Sequence, residues 1–181
     1  MQLATFYPFA RQHPDEAGKW EPSNLQGAWQ TMAIASIKER YRFMDHMYQC
    51  LSAAYMDGAT CIDPLFFHYP EAEGAFDDIE HTFIAGDAFK VSPVLHKKPD
   101  NETTYKAFFP AGTWVNMTVG SGYTRTIVEK HGEVELPYPA ETVNVHLKPG
   151  AVAQIVDDVS AVKTAADLQA MAYTVVVNPD K

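Results

Sequence analysis

The sequence contains only two cysteines, no run of lysine or arginine, and no apolar stretch near the ~18 residues that a membrane span requires. With 14 basic against 23 acidic residues and a formal net charge of −9, it offers no electrostatic footprint for phosphates, so nucleic-acid binding is excluded. The seven histidines (His13, His46, His68, His81, His96, His131 and His146) never form H-x-H, H-E-x-x-H or an i, i+4 pair, and neither metal nor cofactor is expected. The serines lack a G-x-S-x-G context and no glycine loop is shaped for phosphate. Internal repeats and low-complexity tracts are absent. Met1 to Phe6 has no charged leader and runs into Tyr7-Pro8-Phe9, unlike a signal peptide. Cys50 and Cys61 flank the Asp57-Gly58 turn at a spacing that permits a disulfide, but the expected state is two partly buried thiols.

What is present is a core-forming composition, 46% hydrophobic and 12% aromatic, enough for one ordinary domain or a small helical piece joined to a β-domain. Residues 2 to 6 read as a short strand followed by a loop punctuated by Pro8, Pro14, Gly18 and Pro22. Ser23 and Gln26 have capping-box spacing and mark a helix start. Ile34, Ile37, Tyr41, Met44, Tyr48, Leu51 and Tyr55 recur at steps of three and four, a continuous apolar stripe on a helix ending at Asp57-Gly58. Thirty-odd residues is long for a globular helix, so a break is expected between Gly27 and Ser36.

After Gly58 the period shortens. Candidate strands cover 61–69, 81–85, 88–95, 104–109, 113–119, 123–129, 133–136, 142–147, 151–156 and 173–177, separated by glycine, proline and aspartate as in an antiparallel sandwich. Val143, Val145 and Leu147 alternate with Asn144, His146 and Lys148, the pattern of a half-buried strand. The last run, 173–177, either joins the same sheet or opens a further domain. Sequons occur at Asn101 and Asn116 and, with a pI near 5.1, lean toward a secretory or lysosome-like compartment.

Chemistry is sparse. The paired carboxylates Asp15/Glu16, Asp77/Asp78 and Asp157/Asp158 lie in polar turns and read as solvated, so no catalytic pair is assigned. The one ligand-like stretch is Phe6-Tyr7-Pro8-Phe9-Ala10-Arg11-Gln12-His13, where Arg11 and His13 follow a strand among aromatics able to stack on a sugar.

That stretch resembles the segment of glycoside hydrolase family 31, the α-glucosidase family, in which a late barrel strand ends in Arg-x-His. Arg40-Tyr41 resembles the Arg-Tyr of that family's last barrel helix, and Asp63-Pro-Leu-Phe-Phe-His-Tyr-Pro70 resembles the entry into its proximal β-domain. Phe83-Ile-Ala-Gly86, Lys90-Val-Ser-Pro-Val94, Phe109-Pro-Ala-Gly-Thr-Trp114 and Thr142 to Gly150 follow in family order, so the series spans residues 1 to about 156. The resemblance implies an α+β chain: residues 1–58 as the C-terminal strand and helix of a (β/α)8 barrel, 59–156 as a proximal antiparallel β-sandwich, and 157–181 as a linker and the first strand of a distal β-domain. It further implies a retaining hydrolase of α-linked glucosides, with Arg11 and His13 lining the −1 sugar subsite. The nucleophilic and acid/base aspartates would lie upstream, on an N-terminal remainder of the same enzyme or on a partner chain, so this chain alone is expected to be inactive.

Departures from the family pattern are Asp45 in place of proline, Asp63 in place of arginine, and Ala151-Val-Ala-Gln-Ile155 in place of proline after the Gly150 turn. They motivate an alternative, a catalytically inactive structural or interaction module. A third reading, a carbohydrate-binding sandwich using exposed Trp114 or Tyr123, competes with those aromatics being ordinary core.

Overall fold

The computed structural model describes residues 2–11, 21–77, 79–139 and 141–180. Residues expected to open as a strand instead form a 3₁₀ turn, Leu3–Thr5. A strand needs a neighbour to take its backbone groups. Among the described residues this segment has none, and its carbonyls turn to an arginine described below.

Helix α1, Ala28–Asp57, runs thirty residues without the expected break. The Ser23/Gln26 capping box is not formed: Pro22–Asn24 is a separate 3₁₀ turn, and Gly27 caps the helix at φ 58°, ψ −135°, where glycine is favoured. The C-terminus ends as read, with Gly58 at φ 74° and its N–H donating to the Ala54 carbonyl over 3.1 Å. The buried face of α1 carries Ala33, Ser36, Glu39, Arg42, Phe43 and Met47. The expected apolar stripe lies one residue further round and is largely exposed, from Ile34 at 49% to Tyr55 at 91%. Only its middle, Tyr41 and Met44, packs down, onto Val156, Val159 and Leu168.

The six-stranded sheet is antiparallel throughout, ordered β1 (Ile62–Pro64), β2 (Phe83–Ala85), β3 (Phe89–Ser92), β8 (Asn144–Leu147), β5 (Gly112–Asn116), β6 (Arg125–Val128). β4 (Thr104–Phe109) and β7 (Gly132–Pro137) form a separate ribbon, and β9 (Val152–Ile155) pairs with β10 (Thr174–Val177), so the final run finds a partner within the chain. The strand expected across 61–69 stops at Pro64, where short helices α2 (Leu65–His68) and α3 (Gly74–Asp77) take over.

One core lies between the sheet and α1, with Phe6, Phe43, Met47, Phe89, Val145 and Leu147 among its members. A second, under the β4–β7 ribbon, contains Phe109, Trp114, Val128 and Leu136. Because β8 is central and covered on both sides, Asn144 and His146 are buried, contrary to the half-buried strand expected. Asn144 Nδ2 donates to the Tyr105 hydroxyl (2.9 Å) and the Pro137 carbonyl (2.8 Å), while the His146 ring meets Phe109 edge-on at 5.0 Å. The expectation of free thiols is also overturned: Cys50 and Cys61 form a disulfide with a Cα separation of 5.7 Å, joining α1 to the approach of β1. The eleven-residue excursion through Gly58 returns the chain to within disulfide reach.

Candidate functional site

The ligand-like segment is held by one side chain. Phe6 is buried against Phe43, their ring centroids 5.0 Å apart, and Tyr7 packs on Phe83 at 5.7 Å. On either side of Phe6 the backbone carbonyls turn toward α1 and meet the Arg40 guanidinium. Nη1 donates to the carbonyls of Ala4 (2.9 Å), Thr5 (3.2 Å) and Tyr7 (2.6 Å), and Nη2 to that of Pro8 (3.2 Å). Beyond this clamp Phe9 stands 79% exposed and Arg11 is exposed. His13, and with it Gln12, lies outside the described residues. A cleft of about 130 Å³, lined by Tyr7, Pro8, Arg40, Met44, Tyr48 and Leu51, runs beside the segment. A larger concavity of about 860 Å³ opens at the other end of α1, against Trp29, Leu95 and Tyr138.

A second polar cluster fastens α1 to the sandwich. Arg42 donates to Glu39 (3.0 Å), to the Met117 carbonyl (3.2 Å) and to Asp157 (3.2 Å), and the Tyr123 hydroxyl donates to Asp157 as well. Burial pushes the Glu39 carboxyl above its ordinary range, with Arg42 opposing the shift. For Asp157, burial acts upward but hydrogen bonds from Thr174, Tyr123 and Arg42 prevail and hold it low. Asp157 is therefore a structural anchor, while Asp158 accepts the Ser160 N–H at 2.9 Å. Asp15, Glu16 and Asp78 lie outside the described residues.

Two of the three departures from the family pattern, Asp63 and Asp45, sit against polar side chains. Asp63 is buried and accepts from His68 Nε2 at 3.0 Å; His68 also faces Asp87 at 3.3 Å, which pairs with Lys148. The Tyr173 hydroxyl donates to the Leu168 carbonyl at 3.4 Å, and the neighbouring Asp45 carboxylate pushes its pKa upward. Trp114 is 0% exposed, its indole N–H donating to the Pro110 carbonyl over 3.0 Å, so it is core and the reading of it as an exposed sugar platform is corrected. Tyr123 is likewise committed to Asp157. Asn101 sits in an exposed turn, whereas Asn116 ends β5 half-buried, its Oδ1 accepting the Thr118 N–H at 2.9 Å.

Sequence reasoning left Arg42 and Asp157 without roles. Their signal was weak: an arginine within an otherwise helical pattern and an aspartate in a connector, 115 residues apart in the chain. No helix among the described residues is long and apolar enough to cross a membrane.

With this geometry in hand, comparison places the chain. The profile of the glycosyl hydrolase family 31 C-terminal domain matches residues 58–153. An α-glucosidase of Hordeum vulgare is 36% identical over 155 residues, 84% of this chain and 17% of that protein. Alpha-xylosidase 1 of Arabidopsis thaliana is 34% identical over 151 residues, 81% of this chain and 15% of that protein. Among solved structures, a glucosidase II alpha subunit bound to alpha3-Glc2 superposes with a TM-score of 0.83 at 24% identity, covering 98% of this chain and 19% of that one. The chain belongs to glycosyl hydrolase family 31, as the ordered motifs implied. It spans about a sixth of the length of these curated relatives.

Proposed function

We propose that this chain is the C-terminal portion of a retaining hydrolase of α-linked glucosides, forming part of its −1 sugar subsite and its proximal β-domain. In this reading residues 1–58 belong to a (β/α)8 barrel, and Arg11 and His13 contribute to the face where such barrels carry their sites. The two carboxylates of retaining chemistry, one nucleophile and one acid/base, are contributed by other polypeptide, either the remainder of the same enzyme or a partner chain. Arg11 and His13 contribute hydrogen bonds to sugar hydroxyls and fix the ring against them. Residues 157–181 lead toward a distal β-domain.

The observation that carries the reading is the Arg40 clamp, which presents Arg11 from a turn lying beside a largely exposed apolar helix face. Apolar residues exposed on either side of the Tyr41 and Met44 contact support a surface built to be covered, and in this reading the rest of the barrel covers it. The alternative, an inactive module, rests on Asp45, Asp63 and the changed turn after Gly150. Asp63 pairs with His68 and Asp45 lies beside the Tyr173 hydroxyl, so the fold accommodates both, and turnover of substrate decides between the two readings. The disulfide and the exposed sequon at Asn101 favour an oxidising, secretory or lysosome-like compartment.

The test is hydrolysis of aryl α-glucoside and aryl α-xyloside by the full-length protein, following the product anomer by NMR. Release of the α-anomer first, faster from the glucoside, is expected. No turnover of either substrate would return the inactive module to first place.

A further inference from the structure

Arg40 belongs to α1, yet its guanidinium touches the backbone of a segment 32 to 36 residues earlier. Four carbonyls, those of Ala4, Thr5, Tyr7 and Pro8, converge on its two terminal nitrogens at 2.6 to 3.2 Å. Among the described residues no carboxylate lies within salt-bridge distance of it, and its hydrogen bonds go to this backbone. Leu3–Thr5 forms a single 3₁₀ turn with no strand beside it, and Phe6 and Tyr7 supply its apolar anchors. The arginine fork is rigid and planar, and fixes several acceptors at once at little further entropic cost; a lysine ammonium concentrates its donors on one atom. Once the segment is set, the chain continues without a break to Arg11.

We propose that Arg40 is a positioning residue for the sugar pocket, transmitting the placement of α1 to the segment that leads into Arg11, and so to the pocket assigned to Arg11 and His13. This rests on the assignment of those two residues to the pocket. α1 itself is held independently by the Arg42 cluster, the Phe43 and Met47 packing and the Cys50–Cys61 disulfide. Loss of Arg40 therefore loosens the turn and leaves the helix in place.

The experiment uses the full-length enzyme with Arg40→Ala, Arg40→Lys and His13→Ala, reading kcat and KM on an aryl α-glucoside together with amide hydrogen exchange. Arg40→Ala is expected to lower kcat/KM about 10- to 100-fold, the size of effect that a misplacement near 1 Å produces. Exchange rises in residues 3–11 and stays unchanged in the sandwich. Added methylguanidinium restores part of the rate to Arg40→Ala and none to His13→Ala. Arg40→Lys, which keeps the charge and is expected to fold, falls between wild type and Arg40→Ala. An unchanged kcat/KM in both Arg40 variants, or a loss in which exchange rises uniformly, overturns the proposal. If His13→Ala alone is silent, the pocket assignment fails and takes this inference with it. If His13→Ala is impaired and the Arg40 variants are not, only the inference fails.

Discussion

His146 lies in β8 with its imidazole enclosed between the sheet and the β4–β7 ribbon, near the equally buried ammonium of Lys90. Burial, and then the Lys90 charge, depress its pKa from 6.5 to about 3. A base whose folded pKa is depressed gives stability that is complete above its unfolded value and lost as pH falls. Between pH 6.5 and about 3 the unfolded chain binds a proton that the native chain refuses, at up to about 1.4 kcal/mol per pH unit. Burial lowers His46 as well, which acts in the same direction. The urea midpoint should therefore drop between pH 7 and pH 5, and His146→Asn should flatten that drop. An unaltered slope would remove His146 as its source.

Arg42 is the other residue on which much depends. Arg42→Met leaves the buried Glu39 without its counter-charge, a loss of about 3–5 kcal/mol near neutrality. Because Glu39 already titrates high, the penalty should shrink in acid, and adding Glu39→Gln should recover part of it. Urea unfolding at pH 7 and pH 5 checks both statements.

At the scale of elements, the disulfide closes a loop across the turn between α1 and β1. Cys50→Ser with Cys61→Ser should cost about 2–3 kcal/mol and speed amide exchange in the last turns of α1. How far these elements could be read in advance depended on which atoms faced what. Thr104–Phe109 came out with its true boundaries because its alternation faces a core on one side and solvent on the other. Gly58 marked the end of α1 through a backbone requirement that no tertiary contact overrides. The docked face of α1 was missed because Ser36, Glu39 and Arg42 lie on it, so hydrophobic periodicity pointed to the neighbouring stripe. β8 misled for a related reason. Lys90, Ser92, Asn144 and His146 form a polar interior, with Lys90 Nζ donating to Ser92 Oγ at 2.6 Å, and a polar side chain inside a sheet reads as an outward one. Of the candidate site, the turn bearing Arg11 was visible as a cluster of residue types. The clamp that holds it was not, because Arg40 binds carbonyls, which every residue has.

At the scale of the molecule, the exposed stripe of α1 and the outward valines Val152, Val175 and Val177 on the β9–β10 ribbon are two separate apolar faces. The account assigns the first to an upstream barrel and the second to a distal domain. Residues 1–181 expressed alone should therefore self-associate, and replacing Ile34, Ile37 and Leu51 with glutamate should suppress this with little loss of sandwich stability. Sedimentation velocity distinguishes that outcome from a cooperatively folded monomer, which would contradict it. In a eukaryotic secretory host, Asn101 should carry glycan and the strand-end Asn116 should not, which peptide mass spectrometry reads directly.

The central claim is that the turn after Phe6 is one wall of a sugar pocket whose acidic wall is contributed by other polypeptide. Its most direct test is kcat/KM for an aryl α-glucoside in the full-length protein with His13→Ala. A fall of about 100-fold, at unchanged thermal midpoint, is the expected result for removing a group that orients substrate at the reacting centre. A rate equal to wild type would place the turn outside the pocket and contradict the account.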